Sequence, residues 1–272
     1  MESLEHLSEL QRQDLDILKE FVRICEEKGF RYYLVAGSML GAVRHRGFIP
    51  WDDDIDVAMP RKDYDAFLEV APGLLPEKYR LETPRQREHV TIVSTIVSNE
   101  GGFTLNNASK VQSTGAWIDI MMIDGVPNPG LKRRLHWFHY LFLRALYQIS
   151  HFNEVVDRNR ERPGFEKLII SFASATNMQR ILNPTKVNHR IERLMRRFDY
   201  DSCEYVATYC GIYRDREIVP KSWYGEGADY PFENMTAKGL ADADAYLTQI
   251  YGDYMTPPQD TSSKHNVKRE QD

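Results

Sequence analysis

The chain has 272 residues, of which 42% are hydrophobic and 28% charged, and its formal net charge is −5. This length and composition predict a globular protein with a sizeable core, and they exclude an intrinsically disordered chain. Because acidic residues outnumber basic ones, we expect no nucleic acid among its partners.

The cysteines and the N-terminal residues favour a cytoplasmic protein. Cys25, Cys203 and Cys210 are odd in number and form no Cys-x-x-Cys pair, which argues against a disulfide framework and against a structural zinc site. The opening residues MESLEHLSEL lack the apolar core of a secretory signal. No apolar run approaches the ~20 residues that a membrane span needs.

Hydrophobic periodicity predicts the helices and strands in chain order. Apolar residues recur at helical spacing over 5–28, with Gly29 as the stop, and Ser38 is the predicted N-cap of a short helix over 39–45. Further helices are predicted at 62–70, 131–150, 165–175, 184–198 and 241–251. Strands are predicted at 32–36, 54–59, 80–83, 90–97, 116–123 and 205–212.

The distribution of these elements suggests three regions. The first half mixes strands and helices, whereas the middle is mostly helical. We therefore predict a core over 1–130, a helical subdomain over 131–200 and a C-terminal segment over 201–272 that packs back on the core.

Four carboxylates lie within five positions at Asp52, Asp53, Asp54 and Asp56. On a strand, Asp54 and Asp56 point to the same face, and adjacent carboxylates repel unless a cation or a proton lies between them. A hard cation such as Mg²⁺ takes such oxygens. The alternatives are a solvated acidic turn, or an EF-hand loop, which fails because Val57 stands where that loop requires glycine.

A third carboxylate, Asp119, lies in the strand-like segment GAWIDIMMIDG. An acid among apolar residues is costly to bury without a partner, so Asp119 is either a further metal ligand or a salt-bridged core residue. Asp124, beside Gly125, fits a turn.

Several segments in one order resemble the LicD family of the nucleotidyltransferase-fold superfamily. Most of the chain takes part in this resemblance, and 130–200 is the divergent stretch. The segments are GSMLGAVRHRGFIPWDDDIDVAMPRKDYDAFL (37–68), WIDIMMIDGVPN (117–128), VPKSWY (219–224), PFENM (231–235) and YGDYMTPP (251–258) with Lys264 and His265. The spacer over 39–53 is longer than the usual superfamily pattern.

The resemblance implies an α+β fold, with a nucleotidyltransferase-like mixed sheet core, flanking helices and a mainly helical insertion. It places Gly37 and Ser38 in the family's Gly-Ser position and Asp54, Asp56 and Asp119 in its acidic positions. These three aspartates are the implied catalytic residues and the ligands of Mg²⁺ or Mn²⁺.

The resemblance also implies substrate-binding residues. Gly37 would let the backbone approach a phosphate, and Ser38 would offer its hydroxyl and N–H groups to phosphate oxygens. Arg44 would contact a diphosphate or pair with the nearby aspartates. Further substrate-binding candidates are the aromatic Trp51, Trp117, Trp223 and Tyr224, which could cage choline, and the basic Lys221, Lys264 and His265, the last two of which could instead belong to a disordered tail.

The implied activity is transfer of a phospho-alcohol group, foremost phosphocholine, from a CDP-linked donor to a glycan or teichoic-acid hydroxyl, with release of CMP. A nucleotidyltransferase that uses a nucleoside triphosphate and a non-catalytic glycan- or metal-binding scaffold are the alternatives. The segment 131–152 mixes basic residues with bulky aromatics. It fits either an amphipathic core helix or a peripheral contact at the inner face of the membrane, where a lipid-linked glycan would be the acceptor.

Overall fold

A computed structural model describes residues 4–84, 92–107, 110–150, 183–211, 213–258 and 267–269. Within these ranges six α-helices flank a mixed β-sheet, which confirms the predicted α+β class. The helices are α1 (Glu9–Lys28), α2 (Ala36–His45), α3 (Arg61–Leu74), α4 (Leu131–Ser150), α5 (Pro184–Met195) and α6 (Ala243–Tyr251). The strands are β1 (Tyr33–Leu34), β2 (Asp56–Pro60), β3 (Tyr79–Glu82), β4 (Ser94–Ser98), β5 (Phe103–Asn107), β6 (Lys110–Thr114), β7 (Trp117–Val126), β8 (Tyr205–Ala207), β9 (Ile218–Pro220), β10 (Ala228–Phe232), β11 (Met235–Gly239) and β12 (Val267–Arg269).

The main sheet has the strand order β10-β11-β1-β2-β7-β4-β3, and β8 joins the far end of β7 and pairs with β9. The pairs β1–β11 and β2–β7 are parallel, and the other pairs are antiparallel. Strands β5, β6 and β12 form a second, three-stranded sheet. Residues from the C-terminal third thus belong to the main sheet itself, while the division into three regions stays a prediction.

Helix α1 shows how the local sequence fixes an element. The Ser8 hydroxyl accepts a hydrogen bond from the Gln11 N–H, and the Gln11 side chain accepts one from the Ser8 N–H, which is a capping box. Gly29 ends the helix in the left-handed conformation with φ of 70°. The helix therefore begins four residues later than predicted and ends where predicted.

Several local predictions are wrong or fall outside the described residues. Ser38 is not an N-cap, because α2 already begins at Ala36 with Val35 as its cap. Strand β2 begins at Asp56, so Asp54 lies just before it. The helix predicted over 165–175 lies outside the described residues.

Asp124 is not a turn residue but a buried member of β7. Its carboxylate accepts two hydrogen bonds from Arg61, at the start of α3, with Arg61 Nε 2.8 Å from Oδ1 and Nη2 bound to Oδ2. Helix α3 is thereby joined to the central strand through a buried, two-pronged ion pair.

The buried side of α4 carries a histidine that gives the fold a pH dependence. The His136 Nε2 shares a hydrogen bond of 2.8 Å with the Tyr209 hydroxyl, and Nδ1 has no hydrogen-bond partner among the described residues. Burial lowers the pKa of His136 to about 4. The unfolded chain takes up a proton near pH 6.5, well before the folded chain does.

We expect His136→Gln to make the protein less sensitive to acid. As pH falls from about 6.5 to about 4, the wild type loses the part of its stability that depends on a neutral His136. A glutamine keeps a hydrogen-bonding group without titrating. Urea unfolding of both proteins at several pH values checks this, since all other titrating groups are shared. Parallel curves of unfolding free energy against pH would contradict it.

Candidate metal centre

The parallel pairing of β2 with β7 places two acids side by side. Asp56 is the register partner of Asp119, and the Asp119 N–H donates to the Ile55 carbonyl at 2.8 Å. Partners on neighbouring strands project to the same face about 4.8 Å apart. Both side chains are half-buried, while the next pair, Val57 and Ile120, is fully buried. The alternation predicted for this strand is therefore what aims the two carboxylates outward.

The acids before β2 form a second group. Asp52, Asp53 and Asp54 each offer a carboxylate oxygen within 4.8 Å of the others, and all three are half-buried. The sequence predicts Asp54, Asp56 and Asp119 as the metal ligands and does not include Asp52 and Asp53 among them. The structure brings Asp54 together with its two predecessors, so the candidate centre is larger than predicted.

The two groups influence each other through their charges, although the oxygens shown to lie within 4.8 Å of one another are those of Asp52, Asp53 and Asp54. Burial raises the pKa of the Asp56 carboxyl well above its ordinary value, and the charges of Asp54 and Asp119 raise it further. A carboxylate in such surroundings needs a cation or a proton. The donors are all carboxylate oxygens, which suit a hard divalent ion, so the residues fit the Mg²⁺ or Mn²⁺ that the sequence predicts.

The first turn of α2 is hydrogen-bonded to the start of β2 and packs against the acids. The Ser38 hydroxyl accepts a hydrogen bond from the Asp56 N–H at 2.8 Å, and Ser38 is buried. A Cβ at Gly37 would lie 2.7 Å from the Asp52 carboxylate, so a side chain there would displace that acid. The preceding Ala36 has a φ of 46°, unusual for a residue with a Cβ, and its N–H donates to the Tyr246 hydroxyl.

A further acid, Asp14 on α1, was missed by sequence reasoning. It is fully buried, one oxygen accepts the Trp117 N–H at 2.9 Å, and the other has no partner among the described residues. Burial raises the pKa of the Asp14 carboxyl, and the charges of Asp54 and Asp53 raise it further. The available signal was its position between Leu10 and Leu18, an acid within the apolar stripe of the helix.

The segment PFENM supports the loop that leads into the acids. The Glu233 carboxylate accepts a hydrogen bond from the Phe48 N–H at 2.9 Å, and the Glu233 N–H donates to the Arg46 carbonyl at 2.8 Å. The rings of Phe48 and Phe232 meet edge to face at 5.1 Å. Glu233, which the sequence did not single out, thus holds the loop from the turn between β10 and β11.

Arg44 has contacts that the sequence did not predict. Its Nη1 donates to the Tyr254 carbonyl at 2.8 Å, its Nε lies 2.9 Å from His45 Nε2, and its guanidinium lies 5.9 Å from the Trp51 ring. The described partners of Arg44 are thus a carbonyl and two rings, and they tie α2 to the C-terminal block. Trp51 is half-buried beside it, directly before the acids.

Of the remaining candidates, Trp117 lies two residues before Asp119 on β7, whereas Lys221 and Tyr224 are not placed at the acids. Lys221 donates to the Asp201 carbonyl at 2.7 Å and follows β9, at the end of β7 remote from Asp119, about 23 Å along the strand. Tyr224 is fully buried and cannot join a cage open to solvent. Trp117 and Trp223 are half-buried, and Lys264 and His265 lie outside the described residues.

Comparison with known proteins relates the chain to one family. Residues 29–142 match the family described as LicD/FKTN/FKRP, nucleotidyltransferase domain. These residues form a LicD-family domain. The chain is 29% identical to the lipopolysaccharide cholinephosphotransferase LicD of Haemophilus influenzae over 96% of each chain. It is also 48% identical to ribitol 5-phosphate transferase FKRP of Homo sapiens, over 15% of this chain and 8% of that protein.

The LicD domain holds most of the centre but not all of it. Both acid groups, Gly37 and Ser38 lie within residues 29–142, whereas Asp14 and Glu233 lie outside that range. The wall behind the carboxylates and the support of the acidic loop are therefore supplied by segments on either side of the LicD domain. Within the described residues we find no helix both long and apolar enough to cross a membrane.

Proposed function

We propose that the protein is a divalent-metal-dependent phosphotransferase that modifies a glycan. It would move a phospho-alcohol group, foremost phosphocholine, from a CDP-linked donor to a hydroxyl of a cell-surface glycan or teichoic-acid precursor and release CMP. The observation that carries the proposal is the carboxylate centre at the heads of β2 and β7. Likeness to a cholinephosphotransferase over nearly the whole chain supports the reaction class.

The chain's own residues have distinct tasks in this reaction. Asp54, Asp56 and Asp119 would hold Mg²⁺ or Mn²⁺, which when bound neutralises charge on the phosphoryl oxygens. The Thr95 hydroxyl donates to the Asp119 carboxylate at 3.0 Å and so fixes its orientation. The acceptor hydroxyl attacks the β-phosphorus, its oxygen forms the new P–O bond, and the bond to CMP breaks. Asp119 would either complete the metal site or take the proton of that hydroxyl.

The transferred alcohol is assigned from the aromatic side chains near the acids. A quaternary ammonium is attracted to the faces of aromatic rings, and the half-buried Trp51 and Trp117 flank the carboxylates in sequence and on β7. The Trp51 ring already has the Arg44 guanidinium beside it at 5.9 Å. Phosphocholine is therefore proposed over ribitol or glycerol phosphate.

We place the reaction in the cytoplasm, at the inner face of the membrane. The three cysteines are all free, which is consistent with a reducing compartment. In this proposal the CDP-linked donor is in the cytoplasm, and the acceptor is a glycan or lipid-linked glycan at the inner face of the membrane.

Thermal shift with candidate donors tests the function. A ligand that binds only the folded state raises the melting temperature. We expect CDP-choline with Mg²⁺ to raise it more than CDP-ribitol, CDP-glycerol or CTP, and we expect Asp56→Asn to abolish the shift. Asp16→Asn, an exposed acid on α1, is the matched control. A shift with CTP alone would favour nucleotidyl transfer, and no metal-dependent shift would favour the non-catalytic scaffold.

A further inference from the structure

Helix α4 exposes a stripe of large apolar side chains. Leu131, Leu135, Phe138 and Phe142 are 72%, 61%, 70% and 55% exposed. Their spacing of four, three and four residues puts them on one face of the helix, within an arc of about 60°. They account for four of the five most exposed large hydrophobic residues among those described. A contiguous apolar face of this kind marks an interaction surface.

The stripe is not needed to hold α4 in place. The opposite face is buried through Tyr140 and Leu143, and the Tyr140 ring packs 4.9 Å from that of Tyr209. The Tyr140 hydroxyl also donates to the Tyr209 carbonyl. Because the inner face already anchors the helix, the outer stripe remains for a partner.

The charges of α4 indicate what that partner is. The helix has no acidic residue, while Lys132, Arg133, Arg134 and Arg144 are basic in a chain of net charge −5. At 100° per residue, Arg134 lies on one edge of the stripe, and Lys132 and His139 lie on the other. All three are exposed. An apolar face bordered by cations on both sides complements a surface with apolar interior and negative headgroups.

Two of the cations face inward and are already engaged. Arg133 donates to the Pro127 carbonyl at 2.7 Å and lies 4.0 Å from the Tyr205 ring. Arg144 donates to the Gly211 carbonyl at 3.2 Å. The basic residues at the exposed edges of the stripe are Lys132, whose ammonium also lies 4.9 Å from the centre of the Phe198 ring, and Arg134.

We propose that α4 lies on the surface of an anionic phospholipid bilayer, with Leu131, Leu135, Phe138 and Phe142 inserted at headgroup depth. The stripe runs over about 16 Å of helix, long enough to lie in the plane of the interface. Lys132 and Arg134 pair with lipid phosphates at its edges. The inference rests on the proposed function only for the identity of the acceptor, a glycan carried by a lipid, since bilayer binding itself needs no catalysis.

Sedimentation of the full chain with vesicles tests the proposal. We expect binding to vesicles of equal parts phosphatidylglycerol and phosphatidylcholine, weaker binding to phosphatidylcholine alone, and loss of the difference at high salt. Phe142→Ser should lower the partition coefficient on the order of tenfold. Met255→Ser is the matched control, because Met255 is also 55% exposed but lies outside α4. Lys132→Glu with Arg134→Glu should remove the preference for anionic lipid.

Three results would overturn the proposal. Equal sedimentation of wild type and Phe142→Ser would show that the stripe does not insert. Binding that does not depend on lipid charge would remove the role of Lys132 and Arg134. Light scattering that shows a dimer in the wild type and a monomer in Phe142→Ser, without vesicle binding, would assign the stripe to a contact between copies. In each case the rise in melting temperature with CDP-choline would persist. These results would therefore not contradict the proposed function, which is tested independently.

Discussion

Asp56→Asn should lower the rate of phosphotransfer on the order of 10³-fold or more, and it should raise the melting temperature of the metal-free protein. Asparagine keeps the size of the side chain and removes its charge. The loss of rate follows because Asp56 lies beside Asp119 on the neighbouring strand and is close enough to Asp54 to be affected by its charge. Removing this charge weakens the hold on the cation that neutralises the phosphoryl oxygens.

The expected rise in melting temperature also follows from removing the charge of Asp56. Burial and the charges of Asp54 and Asp119 raise the pKa of the Asp56 carboxyl, so its ionised form is disfavoured in the folded chain. Each kcal/mol of repulsion relieved raises the melting temperature by about 2–4 °C in a protein of this size. Mg²⁺ should stabilise the wild type more than the variant.

Two measurements on the same variant check this result. Turnover with CDP-choline reports on the reaction, and calorimetry with and without Mg²⁺ reports on the charge balance. Asp16→Asn should change neither, since that acid is exposed on α1. An Asp56→Asn protein with activity within about tenfold of wild type would remove Asp56 from the metal centre.

Asp124→Ala should destabilise the fold by about 3–5 kcal/mol. The Arg61 side chain is only 9% exposed. The substitution leaves its guanidinium buried without the two oxygens of the Asp124 carboxylate that accept its hydrogen bonds. Breaking a buried pair from one side costs more than the pair contributes, because the surviving charge stays desolvated. We expect a fall in melting temperature of at least about 6 °C.

A second pair on α3 supplies the comparison. Asp65 pairs with Arg196 at 2.5 Å, but both side chains are about one-third exposed. Asp65→Ala should therefore cost about 1 kcal/mol or less. Replacing both buried partners, with Arg61→Met and Asp124→Leu together, should recover most of the lost stability. Urea unfolding of the four proteins measures these differences, and equal costs for Asp124→Ala and Asp65→Ala would refute the role of burial.

The local pattern of the sequence was sufficient for the long helices. The helix predicted over 131–150 matches α4, and α1 ends at Gly29 as predicted, because apolar periodicity and helix caps are properties of neighbouring residues. The hairpins β5–β6 and β10–β11 were not predicted. Strand stability depends on cross-strand partners, which a local window does not contain.

The residues of the candidate site were likewise predicted only in part from the sequence. The Asp-x-Asp pattern and the family resemblance pointed to Asp56 and Asp119, which β2 and β7 bring together. Asp14 and Glu233 reach the same region from opposite ends of the chain, through contacts separated by about 100 and 185 residues. No spacing rule connects residues so far apart, so these two contributors required the tertiary structure.

The parallel pairing of β1 with β11 sets the order in which the chain can assemble. Leu34 pairs with Gly239, a separation of about 200 residues. Contacts between remote residues form slowly, because a long loop must close before they gain anything. During synthesis, β1 cannot pair with β11 until β11 has left the ribosome. The loop that leads into the acids would lack its hydrogen bond to Glu233 until then, so the newly made chain would contain both acid groups before that loop is held in place.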